Sequence, residues 1–225
     1  SGVALRLYRA GLQVAMTDLD KPTAIRRTVC FSQAIIHGEM QVEDVIARKA
    51  ETPAQAEQLM VEHVIAVLPD PEGKMIAALH PDAVVDAILA KKNLGTTIHD
   101  APVVIGVGPG FTAGVDCHAV VETMRGHYMG RVIHQGSAIP NTAIPGLIGG
   151  FAGERVLRAP ADGIFHQLLD IGAVVKQGDI AATVDGLPVI CTLDGVLRGI
   201  LPDGTPVFKG MKSGDIDPRD VVDHC

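Results

Sequence analysis

The pattern of apolar and polar positions changes about two-thirds of the way along the chain. Up to about residue 147, short apolar runs alternate with stretches of helical period. Val3, Ala4, Leu5, Leu7 and Tyr8 recur at near-helical spacing, with Ser1 as the candidate N-cap and Gly11 just past the end. Residues 12–17 then read as a short buried strand ending in Asp18 and Asp20, and Pro22 stands where a short helix can begin. Residues 53–61 read as a helix, 63–68 as an apolar strand, and 83–89 and 102–107 as two more strands. Residues 116–125 read as an amphipathic helix, with Cys117, Val120, Val121 and Met124 on one face. From Gly149 onward the helical period stops and short β-type runs are separated by glycine turns.

The alternation of strands and helices predicts an α/β Rossmann-like domain over residues 1–147. Its opening reads as the second half of a dinucleotide-type βαβ unit, without the first strand and its glycine-rich loop. Residues 148–225 carry an internal repeat. Asp162-Gly163-Ile164 recurs as Asp194-Gly195-Val196, Gly172 as Gly204, Val175 as Val207 and Gly178 as Gly210, all at an offset of 32 residues. Together with Ala159-Pro160-Ala161-Asp162-Gly163 and the run from Gly172 to Asp179, this resembles the lipoyl- and biotinyl-type barrel-sandwich hybrid. Carriers of that fold present a lysine between the two halves. Here the equivalent turn reads Val184-Asp185-Gly186-Leu187-Pro188, so the resemblance implies a module that docks, covers or supports rather than one that carries a prosthetic group.

Composition narrows the function. The formal net charge is −7 and aromatic residues are 3% of the chain, so both the basic face and the stacking platforms of a nucleic-acid binder are missing. No apolar run is long enough to predict a membrane-spanning helix, and no signal peptide opens the chain, so neither a membrane nor a secreted setting is expected. Cys30, Cys117, Cys191 and Cys225 are scattered, which suits a reduced, cytoplasmic setting and predicts no structural metal.

Candidate chemistry gathers in two stretches. Asp18, at a strand end, can bond a ribose hydroxyl or simply face water, and Lys21, Arg26 and Arg27 beside it can clamp a phosphate or pair with the two aspartates. The second stretch is the loop through Gly106, Gly108 and Gly110 to Thr112 and Gly114. Closely spaced glycines let a backbone approach a ligand, and Asp116 follows as the N-cap of the predicted helix. The spacing is neither a Walker loop nor GxGxxG. His118, Glu122 and Arg125 fall on the polar face of that helix, and His127 and Arg131 follow. Arginine and histidine beside a glycine turn suit a phosphorylated ligand. The polar run from Lys91 to Thr97 ends another strand, where ligands usually bind, and Asn141-Thr142 lie in the Pro- and Gly-rich loop beyond.

Five further motifs span nearly the whole chain: Ser1–Leu7, Pro22–Arg27, Gly108–Gly114, Glu122–His127 and Gly214-Asp215-Ile216-Asp217-Pro218-Arg219. On these residues the chain resembles the bacterial accessory family of selenium-dependent molybdenum hydroxylases, the YqeB type. The resemblance implies a cytoplasmic maturation factor whose protein partner is a molybdenum hydroxylase and whose ligand is a nucleotide or a molybdopterin-type cofactor. Members of that family carry a strand and a glycine-rich loop before the first motif and a helical segment after the last, so the chain is expected to be a fragment of the family pattern at both ends. Two other readings stand beside this one. The βαβ-like opening suits an NAD(P)-dependent oxidoreductase, and the C-terminal module suits a non-catalytic docking scaffold.

Overall fold

A computed structural model describes residues 1–142 and 145–225. The chain forms two compact units, one made of residues 1–71 with 145–225 and the other of residues 72–144. Positions 143 and 144, in the Pro- and Gly-rich connection, lie outside the described residues.

The first unit opens with helix α1 (Gly2–Arg9), which packs Ala4 and Leu5 inward. Ser1 stands at its N-cap position, but the Ser1 hydroxyl accepts from the Phe31 N–H at 2.8 Å and makes no cap bond, so it ties the helix to the chain thirty residues on. Gly11 takes a φ of +87° and ends the helix as its lack of a side chain allows. Strand β1 (Ala15–Asp18) follows, then two short 3-10 turns, the single-turn α2 (Ala34–His37), and the hairpin of β2 (Glu39–Val42) and β3 (Val45–Lys49). Helix α3 (Pro53–Val61) starts where Thr52 accepts from the Gln55 N–H, with proline in the first turn. It leads into β4 (Ile65–Pro69). The sheet runs β1-β4-β3-β2, parallel except for the β2–β3 hairpin, over a core that includes Phe31, Ile65 and Val67.

The second unit contains α4 (Lys74–Leu79), β5 (Ala83–Asp86), β6 (Val103–Val107), β7 (Thr112–Ala113), β8 (Ala119–Val121), β9 (Val132–Ile133) and β10 (Gly136–Ser137). Its main sheet runs β5-β6-β8-β9, with the first three strands parallel, and β7 pairs with β10.

The rest of the first unit is β11 (Val156–Arg158), β12 (Gly163–Gln167), β13 (Val174–Val175), β14 (Ile180–Val184), β15 (Leu187–Ile190), β16 (Gly195–Ile200), β17 (Thr205–Val207) and β18 (Lys212–Asp217). They make two antiparallel four-stranded sheets, β11-β18-β16-β13 and β15-β14-β12-β17, with Phe165, Leu157, Leu197 and Ile216 in a shared core. The 32-residue repeat shows as reciprocal bonds. Asp162 accepts from the Lys209 N–H at 2.7 Å, and its repeat mate Asp194 accepts from the Gln177 N–H at 2.8 Å. The Gly172 N–H donates to Leu197 O as the Gly204 N–H donates to Phe165 O, both at 2.8 Å. Each half thus closes on the turns of the other. At the turn between β14 and β15, Asp185 and Gly186 both have positive φ, the pattern of a tight hairpin, and there is no lysine there.

Two expectations about architecture are overturned. The Rossmann-like alternation is not formed, and the sheets are small, mixed or antiparallel, with few helices. Between β1 and β3 the chain makes turns and a hairpin instead of a crossover helix, and between β5 and β6 Leu89 and Lys91 at positive φ break any helix. The barrel-sandwich expectation fails as well, because the two C-terminal sheets stay separate and no closed barrel forms among the described residues. No short helix begins at Pro22, and the helix expected at 116–125 is also absent. Asp116 accepts from the Thr112 N–H at 2.7 Å and closes a turn, and residues 119–121 pair with β6 as β8. Three consecutive apolar residues fit a buried strand as well as a helix, and pairing decided between them.

Candidate functional site

In the second unit, β5, β6 and β8 end side by side, and that edge gathers much of the predicted chemistry. The buried Asp86 closes β5, accepting from the Thr96 hydroxyl at 2.6 Å and from the Ile88 N–H at 3.1 Å, which folds the 87–96 loop back over the edge. At the end of β6, a Cβ on Gly108 would lie 2.8 Å from the Thr123 Oγ1, and one on Gly110 would lie 2.7–2.8 Å from the backbone of Lys92. Both glycines have positive φ. They are therefore required by the close approach of the chain's own loops. Gly106 is required by the ring of Phe111, 2.5 Å from where its Cβ would stand.

At the end of β8, Glu122 is buried and accepts from the Met124 and Ile139 N–H groups at 2.7 and 2.8 Å. Burial alone would raise this carboxyl, but the amides of Ile139, Met124 and Thr123 outweigh it and hold it below its ordinary value. The Glu122 N–H donates to Arg131 O at 2.9 Å and the Gly130 N–H to Glu122 O at 2.8 Å, closing the loop between them. On that loop His127 meets Tyr128 edge to face at 5.1 Å, and the Arg131 guanidinium lies 5.7 Å from the same ring. Lys91, Lys92, Arg125, His127 and Arg131 are all exposed, so the loops at this edge carry an excess of cations.

Thr112, Asp116 and His118 do not join this edge. His118 precedes β8 and Glu122 follows it, so the two stand at opposite ends of one strand instead of on one helix face. The Val104 N–H donates to His118 Nδ1 at 3.0 Å, so the neutral ring carries its proton on Nε2. His118 lines an open cleft of about 790 Å³ with His80, His99, Asp82 and Asp100. Among the described residues, no three His, Cys, Asp or Glu side chains converge as a metal site. The Thr112 hydroxyl lies 3.0 Å from that of Ser137.

In the first unit, Asp18 does stand at a strand end, where its carboxylate accepts from the Leu19 N–H at 2.8 Å. The arginines that follow are not gathered around it. Arg27 donates to Ile200 O at 3.0 Å and to Gln167 Oε1 at 2.7 Å, fastening the 21–29 segment to β16 and β12. Arg26 lies 3.6 Å from Asp215. It thereby joins a cluster that sequence reasoning missed. Arg198, Asp215 and Asp217 are all at least 95% buried. Arg198 pairs with both carboxylates, Arg155 lies 3.7 Å from Asp215, and Arg219 pairs with Asp217 at 2.6 Å. The Arg219 bond leads the causes that hold the Asp217 carboxyl far below the usual carboxylate range, against burial. The signal was a polar period of two, Ser213, Asp215 and Asp217, in a strand whose other residues are Lys212, Gly214 and Ile216.

Comparison with known proteins adds one informative likeness. The chain is 52% identical over 219 residues to the protein named "Uncharacterized protein YqeB" of Escherichia coli (strain K12), an alignment covering 97% of this chain. It is related to the YqeB family. The chain spans only 40% of that protein's length, so the YqeB likeness concerns this part of the sequence. No family model matches the chain. A solved succinylglutamate desuccinylase from Silicibacter sp. TM1040 aligns with 37% of this chain and 27% of its own, at 23% identity and a TM-score of 0.26, too slight a likeness to inform the fold. No helix among the described residues is long and apolar enough to cross a membrane.

Proposed function

We propose that this YqeB-type chain is the ligand-holding part of a maturation factor for selenium-dependent molybdenum hydroxylases, and that it binds a phosphorylated ligand, a nucleotide or a molybdopterin-type cofactor, at the carboxyl edge of β5, β6 and β8. One observation carries this reading. At that edge the Gly108–Gly110 turn, the Lys91–Lys92 loop and the Arg125–Arg131 loop converge, held by Asp86 and Glu122 from below. Because β5, β6 and β8 are parallel, the loops that leave them share one edge, and exposed guanidinium and ammonium groups suit phosphate oxygens. In this account Lys92, Arg125 and Arg131 hold the anionic end of the ligand, and the Tyr128 and His127 rings offer a flat, partly apolar surface for its ring system. Asp86 and Glu122 position loops and touch no ligand.

Isothermal calorimetry of the intact chain against nucleoside triphosphates and molybdopterin tests the proposal. Binding by one of these classes is expected, weakened at least tenfold in the Lys92→Gln, Arg131→Gln double variant. No heat with any of them, or unchanged binding in that variant, contradicts it.

A further inference from the structure

The buried face of β16 and β18 holds more positive charge than its carboxylates balance. Two β-bulges build it. The register of β18 against β11 slips between Leu157 and Arg158, and that of β16 against β18 slips between Leu197 and Gly199. The first slip pairs Lys212 with Arg158, next to the pair of Leu157 and Gly214, and so turns Lys212 to the same face as Asp215. The second frees Arg198 to lie between Asp215 and Asp217. The 21–29 segment crosses this face. Ile25 O accepts from the Ile200 N–H at 2.8 Å, and a Cβ on Gly199 would lie 3.1 Å from that same oxygen. Arg26, Arg155, Arg198, Arg219 and Lys212 therefore surround two carboxylates, Asp215 and Asp217, among the described residues.

The two carboxylates are already committed. One oxygen of Asp215 serves Arg198, with Arg26 and Arg155 farther off at 3.6 and 3.7 Å. The other, Oδ1, is buried, accepts no hydrogen bond from any described residue, and would lie 2.9 Å from a Cβ on Gly199. Asp217 is taken by Arg198 and Arg219. Arg26 donates no hydrogen bond, and Lys212 makes neither a hydrogen bond nor an ion pair with any described residue, yet both reach solvent. Beside them the Ser213 hydroxyl is fully buried without a hydrogen-bond partner among the described residues. Like charges held together at low dielectric are costly unless an opposite charge joins them.

We propose that the open end of this cluster, between Arg26 and Lys212, is a binding site for a small oxyanion of the phosphate class, separate from the ligand edge of the second unit. A phosphate there accepts from the Arg26 guanidinium and the Lys212 ammonium and relieves the repulsion among the buried arginines. Consistent with that repulsion, Lys212 is held below its ordinary value, first by desolvation and then by Arg26, Arg155 and Arg198, with only Asp215 opposing, although its side chain is exposed.

The test is calorimetry and thermal unfolding of the intact chain titrated with inorganic phosphate at constant ionic strength, with acetate as the monoanion control. Phosphate should bind and raise Tm, and acetate should not. The Arg26→Gln, Lys212→Gln double variant should lose at least tenfold in phosphate affinity while its Tm without phosphate is unchanged or higher, because repulsion is removed. The Lys92→Gln, Arg131→Gln variant should bind phosphate at this site as the parent does, so the outcome is independent of whether the second unit binds a nucleotide. Absence of phosphate binding, equal response to acetate, or undiminished binding in the Arg26→Gln, Lys212→Gln variant would each overturn the proposal.

Discussion

A Cβ on Gly110 would stand 2.7 Å from the Cα of Lys92, so the glycine turn after β6 and the lysine loop after β5 touch backbone to backbone. The candidate ligand edge depends on that contact. Gly110 also sits at φ +117°, a region open in practice only to glycine. Gly110→Ala is therefore expected to push the two loops apart, lower stability by about 1–3 kcal/mol, and weaken ligand binding. Chemical denaturation and calorimetry of the variant check both. An alanine variant with parent stability would show that the contact is not required.

Glu122 should behave as a buried loop anchor. Glu122→Ala leaves the amides of Met124 and Ile139 without their acceptor and is expected to cost about 2 kcal/mol or more. Its folded value lies below the ordinary 4.5, so its contribution is complete above that value and is lost as the pH falls through the lowered folded value. Urea midpoints measured from pH 7 down to pH 3 should drop for the parent in that acid window, and less for Glu122→Gln.

Arg198 and Arg27 should separate from each other. Arg198→Met leaves the buried Asp215 with only the longer contacts to Arg26 and Arg155, while Asp217 keeps Arg219, and is expected to cost about 3–5 kcal/mol. Arg27→Met loses two hydrogen bonds, to Ile200 and Gln167, and should cost about 1–3 kcal/mol. Neither should change ligand affinity at the second unit, because Arg27 works as a fastener within the first. A loss of nucleotide binding in Arg27→Met, with the fold retained, would restore the phosphate-clamp reading of this residue.

Local features were legible in the sequence, and long-range ones were not. Helix α3 was read at its observed bounds, Pro53 to Val61, from its Glu/Gln-rich face. The 32-residue repeat was legible because the turns of both halves need positive φ at Gly172 and Gly204, and again at Gly178 and Gly210. The region from Asp116 to Val121 misled because the same residues satisfy a helical face or a short strand, and the choice was made by β6. The cluster around Asp215 joins Arg26 to residues far along the chain through a sheet register and two bulges, and no spacing in the sequence encodes a bulge. Glu122 was read as an exposed helix-face acid, whereas its two amide donors come from the residues that follow it and from Ile139.

The most direct test of the central claim is native mass spectrometry of the intact chain as purified and after incubation with nucleotides and molybdopterin. The account predicts one bound phosphorylated species from these classes, lost in the Lys92→Gln, Arg131→Gln variant and kept in Arg26→Gln, Lys212→Gln. A spectrum with no such species, or one bound equally by the Lys92→Gln, Arg131→Gln variant, would contradict it.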